Sequence, residues 1–382
     1  MTTIQRNYWL AWSASLLFFV AFYTLLTPFP LYLLAVELAD WQISLIMGAF
    51  GVASLIGRPL AGLGADHFGY RPVMLMGALL LLMGVAGVTA TANPLLLLAL
   101  RLLQAAGYVA FTTSSNALAV SLAEPNRRKS ALTRFGAAAN VSMTLTPATI
   151  SALLPCLTLV GALWVAAGFG LLSALLSLAI QPAAPGPIKT AVARSPWLMP
   201  RSVFLPISLA AISGVAFGAF LQFLPLLTAR RGDISSGPIF AAYGAGIALT
   251  RLLIARWVDQ IDQRRILQIG YLLLALGLGL FAFSHSWLLF VAAALSIAAG
   301  AGLQTGLLMN LHVDALPAQL RGSGVAFYYL GFDLGIGGGA WLAAPMIELF
   351  GIGGLYAWAA VMAGVGAILV RRVVSRPGTT DD

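Results

Sequence analysis

The sequence is short of charge. Only 9% of its 382 residues are Asp, Glu, Lys or Arg, where a soluble domain carries about 25%. The remainder is 60% hydrophobic, with a mean hydropathy of +0.93. No water-soluble core could hide that much apolar sequence, so the solvent is lipid. A single cysteine, Cys156, excludes an intrachain disulfide. The three histidines, His67, His285 and His312, are far apart and offer no metal-ligand spacing. There is no GxxxxGK[ST] phosphate loop and no GxGxxG in a strand–helix setting, so no ATPase domain and no cofactor are expected. No paired base and nucleophile stands at membrane depth, which argues against an enzyme. The net charge of +9 does not point to nucleic acid, because the basic residues lie between apolar runs and form no patch with interleaved aromatics.

What the chain has is apolar runs of membrane length, with 40 glycines and 19 prolines, both commoner in membrane helices than in soluble ones. A spanning helix needs about 20 apolar residues. That rule predicts spans near 8–36, 42–64, 72–91, 94–122, 131–155 and 157–181, then 203–229, 236–257, 265–284, 287–314, 322–348 and 352–373. The breakers between them are legible, among them Asn93-Pro94, Glu124-Pro125-Asn126, Pro155, His285-Ser286 and Gly351. The first run exceeds a signal-peptide core and lacks a small-x-small cleavage site, so it reads as a retained membrane helix. The expected class is an all-α membrane protein of twelve transmembrane helices in two pseudo-symmetric six-helix bundles. The bundles are 1–181 and 203–375, with a proline-rich cytoplasmic linker at 182–202 and a disordered polar tail at 376–382. With the N-terminus inside, the cytoplasmic segments collect nearly all the Lys and Arg, while the outer loops hold only Arg230 and Arg231. This bias puts both termini in the cytoplasm.

The two halves carry one charged element twice. Arg58, Asp66 and Arg71 recur as Arg251, Asp259 and Arg264: 251 − 58, 259 − 66 and 264 − 71 each give 193. Each set lies where one apolar run ends and the next begins. Two parallel membrane halves with a charged hairpin at the same place are the layout of an alternating-access carrier.

The first hairpin reads Gly62, Leu63, Gly64, Ala65, Asp66, His67, Phe68, Gly69, Tyr70, Arg71. It resembles the hairpin motif of the major facilitator superfamily, which runs Gly, x, Leu, small, Asp, basic, x, Gly, basic, basic. Gly64 stands at the leucine place, His67 and Tyr70 at basic places; in the second copy Asp262 replaces the glycine. Arg101, Gln104 and Gly107 resemble that family's fourth-helix pattern. The stretch Tyr328 to Gly339 is similar to the glycine-rich eleventh span of its smaller bacterial members. The fifth-span antiporter signature keeps only Pro147. The resemblance covers about the whole chain. It implies a multi-pass protein of the bacterial inner membrane that works as a monomer. It further implies a cytoplasmic latch, in which Asp66, with Arg58 beside it, faces the start of span eleven near Gly322–Gly324. Asp259, Arg251 and Arg264 would do the same against the fifth span.

Ionisable groups within the bilayer are costly and usually functional. Asp333 falls near the middle of span eleven and Arg101 in the outer half of span four. Desolvation favours the protonated form of a carboxyl, so Asp333 is the candidate proton or substrate carrier, the alternative being a structural acid that ties the glycine-rich helix to a neighbour. Arg101 cannot titrate; it is expected to hold an anionic group of the substrate or pair with a carboxylate, the alternative being a structural arginine that bonds carbonyls of neighbouring helices. Asp333 obeys the repeat, since 333 − 193 is 140, which is Asn140. Thr27 and Tyr23, Gln104, Thr112 and Asn116, Gln222, and Gln304, Thr305 and Asn310 are further candidates for the cavity wall. For each, a helix–helix hydrogen bond is the alternative. Pro28, Pro30 and Pro225 are expected to bend spans one and seven. The expected function is proton-coupled export of a small amphipathic organic solute. The alternatives are proton-coupled import or facilitated entry of a metabolite and, in a different class, a non-transporting receptor or scaffold.

Overall fold

The computed structural model describes residues 3–123, 128–181, 200–232, 234–254, 262–316 and 321–373. The linker at 182–199, Asp259 and the tail from 374 lie outside them. Twelve helices follow in order: α1 (Thr3–Thr24), α2 (Pro28–Ala35), α3 (Asp40–Phe68), α4 (Tyr70–Val88), α5 (Pro94–Ser121) and α6 (Arg128–Leu153). Then come α7 (Leu159–Ala179), α8 (Phe204–Arg230), α9 (Ser236–Ile254), α10 (Gln263–Phe283), α11 (Trp287–Asp314) and α12 (Arg321–Val373). Helices α1 and α2 are one crossing interrupted before Pro28, whose fixed φ suits the first position of a restarted helix. Helix α12 is two crossings joined at Gly351, where φ is +69° and the helical geometry fails. By contrast, α8 runs unbroken through Pro225. Nine segments among the described residues are long and apolar enough to cross a bilayer, one of them the 49-residue Gly324–Arg372. Length and apolarity alone therefore do not reproduce twelve crossings. The shortfall outside α12 falls on α6, which is rich in Ser, Thr, Asn and Arg, and on α9, whose description stops at Ile254.

The chain clusters into two compact units, Met1–Lys189 with Ser235–Gly237, and Thr190–Ile234 with Pro238–Asp382. The offset found in the charges governs the helices. Helices α4, α5 and α6 start at 70, 94 and 128; α10, α11 and α12 start at 263, 287 and 321, each 193 later. The internal packing repeats too. In the first unit α4 and α5 touch at Gly77 and Gly107: a Cβ on Gly107 would lie 2.6 Å from the Gly77 carbonyl oxygen. In the second, α10 and α11 touch at Gly270 and Gly300, and a Cβ on Gly300 would lie 2.6 Å from the Gly270 oxygen. Both pairs keep the offset (270 − 77 and 300 − 107). Lipid gives apolar helices no hydrophobic reason to associate, so close backbone approach at small residues is what holds them together. Side-chain hydrogen bonds add about 0.6 kcal/mol each. They include Ser173 Oγ to the Ala14 carbonyl at 2.8 Å and Ser296 Oγ to the Leu273 carbonyl at 2.8 Å.

The end of the third crossing is fastened in both units, by different chemistry. Tyr32 Oη donates to the Thr91 carbonyl at 3.1 Å. At the equivalent Ser284 (284 − 91 = 193), Arg231 takes over. Its guanidinium donates to the carbonyls of Phe281 and Ala282, each at 2.6 Å, and to that of Ser284. A cation among the last carbonyls of α10 also complements the negative end of the helix dipole.

The two charged hairpins turn differently. Between α3 and α4 there is a single residue, Gly69, with φ +88°, a conformation that glycine adopts without a Cβ penalty. The equivalent Asp262 has φ −53° and instead caps α10, its carboxylate accepting the Arg264 N–H at 3.1 Å. Asp262 is therefore a substitute start signal for the helix rather than a lost glycine.

Candidate functional site

Arg101 is the most deeply buried cation among the described side chains, 3% exposed. Its Nη1 donates to Gln104 Oε1 at 3.0 Å, and Gln104 Nε2 donates to the Gly84 carbonyl of α4 at 3.0 Å. The guanidinium carbon lies 5.2 Å from the Phe29 ring centroid on α2. Its Nε has no hydrogen-bond partner, and neither do the buried hydroxyls of Thr24 and Thr27. The three-residue pattern of span four thus has a physical content. Arginine holds the glutamine, the glutamine holds α4, and Gly107 lets the two backbones meet.

Arg101, Gln104 and Tyr108 share one face of α5, at spacings of three and four residues. Tyr108 packs 4.4 Å from Phe22 and 5.1 Å from Phe50, and Phe18 stacks on Phe111 at 3.9 Å. The first unit therefore presents a strip of guanidinium, amide and phenol against the aromatic rings of α1, α2 and α3. Sequence reasoning singled out none of these rings, only the neighbouring Tyr23. The others looked like ordinary membrane filler, because nothing local distinguishes a ring that faces a partner helix from one that faces lipid.

The second unit has its own polar network. Ser213 Oγ lies 2.9 Å from Gln304 Oε1 and 3.1 Å from Tyr271 Oη, and Tyr271 donates to the Leu209 carbonyl at 2.7 Å. One serine hydroxyl thus ties α8, α10 and α11 together; Ser213 and Tyr271 carried no signal in the sequence. Gln304 Nε2, Gln222 Oε1 and the Tyr243 hydroxyl are buried without partners. Asp333 is 5% exposed. It lies two residues from both Gly331 and Gly335, about 200° around the helix from each. Those two glycines, with Gly339, press α12 onto Ile207, Ala211 and Val215 of α8. Asp333 is therefore directed away from the α8 contact, and the glycines beside it serve packing.

The remaining candidates divide. Thr112 and Thr305 return their hydroxyls to carbonyls of their own helices, at 2.8 Å each. Asn116, Asn140 and Asn310 are exposed on their units. In the hairpin, Asp66 is exposed and Gly62 and Arg58 are half-buried, as is Arg251 in the second unit. Arg71 donates to the Leu178 carbonyl in the last turn of α7 at 2.7 Å, a fastening inside its own unit that sequence reasoning did not foresee. No group of acidic, histidine or cysteine side chains among the described residues could hold a metal ion.

Arg101→Met separates scaffold from function. Methionine removes the cost of keeping a charge out of water; it leaves Gln104 Oε1 without its donor, while the bond from Gln104 to the Gly84 carbonyl remains. The variant is expected to reach the membrane with wild-type thermal stability but without transport. A fall in melting temperature that matches the loss of activity would make the arginine structural.

The comparisons agree with this architecture. A family model described as Major Facilitator Superfamily matches residues 11–238 and 232–382. No functionally curated protein matches the sequence. Among solved structures, a POT family transporter in complex with a thioalcohol-conjugated peptide superposes with TM-score 0.80. It is 14% identical, over 98% of this chain and 100% of that one. A D-xylose–proton symporter superposes with TM-score 0.76 at 15% identity, over 97% of each chain. The human organic anion transporter MFSD10 (TETRAN) does so with TM-score 0.67 at 19% identity, over 97% of this chain and 100% of that one. At such identities the likeness is one of fold.

Proposed function

The chain belongs to the major facilitator superfamily, and on that premise we propose that it exports a small amphipathic organic solute in exchange for protons. It is a multi-pass membrane transporter, and alternating access between two repeated units is the mechanism that suits it. The observation that carries the finer reading is a buried guanidinium in one unit and a buried carboxyl in the other, Arg101 and Asp333, each within an otherwise apolar helix. A buried arginine fastened, among the described residues, by one amide and one aromatic face suits an anionic group on an apolar or aromatic body. A carboxyl in α12 suits the proton. Asp66, exposed at the α3–α4 turn, is the proposed cytoplasmic latch, with Arg58 beside it and with Arg251 and Arg264 at the second hairpin. On the Lys and Arg bias both termini are cytoplasmic, and the membrane is the bacterial inner membrane, where the protein acts as a monomer.

The test is a comparative metabolite profile of cells carrying wild type, Asp66→Asn or empty vector. A solute depleted inside and enriched outside with wild type alone supports export and identifies the cargo. Asp66→Asn, inserted normally, is expected to lose that difference; full activity in this variant would remove the latch. Enrichment inside the cells would replace export by import. That second reading is favoured by the loss of the fifth-span antiporter signature around Pro147, which lies inside α6.

A further inference from the structure

The second unit buries polar side chains on three neighbouring helices: Tyr271 on α10, Gln304 and His312 on α11, Tyr328 and Asp333 on α12. The first unit has no such set. At the offset of 193, the first four correspond to Ala78, Phe111, Ala119 and Phe135, which are buried and apolar. Only Asp333 has a polar counterpart, Asn140, and that residue is exposed on its unit. The repeated fold therefore does not require these groups, and polar side chains buried among apolar helices are costly.

His312 stands in the last turn of α11, two residues before the exposed Asp314. Its Nδ1 lies 2.7 Å from the Leu308 carbonyl. A carbonyl only accepts, so Nδ1 carries the hydrogen and the neutral ring presents a bare lone pair at Nε2. That nitrogen is buried without a partner. An orphaned acceptor calls for an explanation, and imidazole is the side chain suited to taking up and releasing a proton near neutral pH.

The His312 ring meets that of Tyr328 edge-on, with centroids 5.7 Å apart. The Tyr328 phenol is within electrostatic reach of Asp333 and Tyr329 on its own helix, Tyr271 on α10 and Arg251 on α9. Tyr328 is seven residues into α12 and Asp333 twelve (328 − 321 and 333 − 321), about 10 Å and about 18 Å along the axis. Tyr328 thus stands between the carboxyl and the start of the helix. Long helical side chains lean toward the N-terminus of their helix, here the end at which His312 lies. That end is packed shut: a Cβ on Gly324 would lie 2.8 Å from the His312 carbonyl oxygen, and Ser202 Oγ donates to the Ala315 carbonyl at 2.8 Å.

We propose that His312 is the cytoplasmic proton-exchange group of this carrier, linked to Asp333 through the Tyr328 hydroxyl. The Asp333 carboxyl passes its proton to Tyr328 Oη, which gives its own to His312 Nε2. Nε2 then releases that proton to cytoplasmic water, while Nδ1–H stays on the Leu308 carbonyl. Loading from the cytoplasm is the reverse. This rests on the reading of Asp333 as the proton carrier.

The experiment follows the carboxyl itself, so no cargo is needed. Full-length protein is placed in proteoliposomes with its cytoplasmic face outward, and a fast acid step is applied outside. Time-resolved infrared spectroscopy records the protonated-carboxyl band that wild type has and Asp333→Asn lacks. The rise of that band is expected to slow severalfold, to the same end point, in His312→Asn, whose amide can still donate to the Leu308 carbonyl. The same is expected in Tyr328→Phe, which keeps the ring and loses only the hydroxyl. A merely structural histidine would lower the melting temperature without slowing the rise. Should His312→Asn fail to fold, Tyr328→Phe carries the test alone. An unchanged rate in either folded variant overturns the relay and leaves Asp333 as carrier. A wild-type band that does not respond to the step overturns the relay and the proton reading together.

Discussion

Asp333→Asn is expected to abolish proton-driven movement of the cargo while leaving the protein folded. The amide has the shape of the protonated carboxyl and cannot release the proton. The variant is thus held in the state that a proton carrier passes through once per cycle. A carrier in that state still exchanges cargo for cargo but cannot be driven by a proton gradient. Three readings should move together in proteoliposomes. Gradient-driven flux falls to background, counterflow of labelled against unlabelled cargo persists, and the pH dependence of transport flattens. Asp333 has the burial for this role, at 5% exposed, and a buried carboxylate is expensive to keep unless it titrates or is compensated. A variant with wild-type gradient-driven flux would make Asp333 a structural acid of α12 and would end the coupling scheme built on it. The loss of counterflow along with driven flux would show instead that the carboxylate binds the cargo.

Gly335→Val should have the largest effect on folding. A Cβ at Gly335 would fall onto the Ala211 carbonyl of α8, inside van der Waals contact, with the Ala211 carbonyl carbon at 2.7 Å and Cα at 2.9 Å. These are backbone atoms in the middle of a helix and cannot rotate away, so α8 and α12 must separate. Overpacking typically costs about 1–3 kcal/mol, and here it also disturbs neighbouring close contacts. A Cβ on Gly331 would lie 2.7 Å from the Ile207 oxygen, and one on Gly339 3.0 Å from Val215 Cγ2. The matched control is Gly338→Ala, three residues along the same helix, where a Cβ meets nothing within 4 Å. That change should be neutral or should stabilise by up to about 1 kcal/mol, the helical advantage of alanine over glycine. Thermal unfolding of the detergent-purified proteins separates the two. Equal melting temperatures for both variants would show that the glycine stripe does not set the α8–α12 approach.

The two positions illustrate how a membrane sequence divides its information. Gly335 and Gly338 are indistinguishable in GIGGG; only the neighbouring helix decides that one is crowded and the other free. The same holds for the polar candidates. Arg101 and Gln104 stood in the sequence as parts of a pattern resembling the family's fourth helix, and the structure joins them by a hydrogen bond. That Gln104 is held by Gly84, 20 residues away, and that Arg71 is held by Leu178, 107 residues away, could not be read from spacing. Ser213 and Tyr271 were missed for the same reason: each is an ordinary residue until its partner arrives on another helix.

What the sequence determined by itself is the set of helices and their repetition. A crossing is a local property: about 20 consecutive residues must be apolar, and the bilayer requires every backbone group there to be satisfied within the helix. Hydropathy and breakers therefore placed most ends within a few residues. The offset of 193 seen in three charges reappears in the starts of three pairs of helices. What only the tertiary structure decided is the use of each face. Lipid tails are as apolar as the side chains, so hydrophobicity does not mark the surfaces on which helices meet. Backbone approach, carbonyl capping and shape mark them, and these exist only once a second helix is in place.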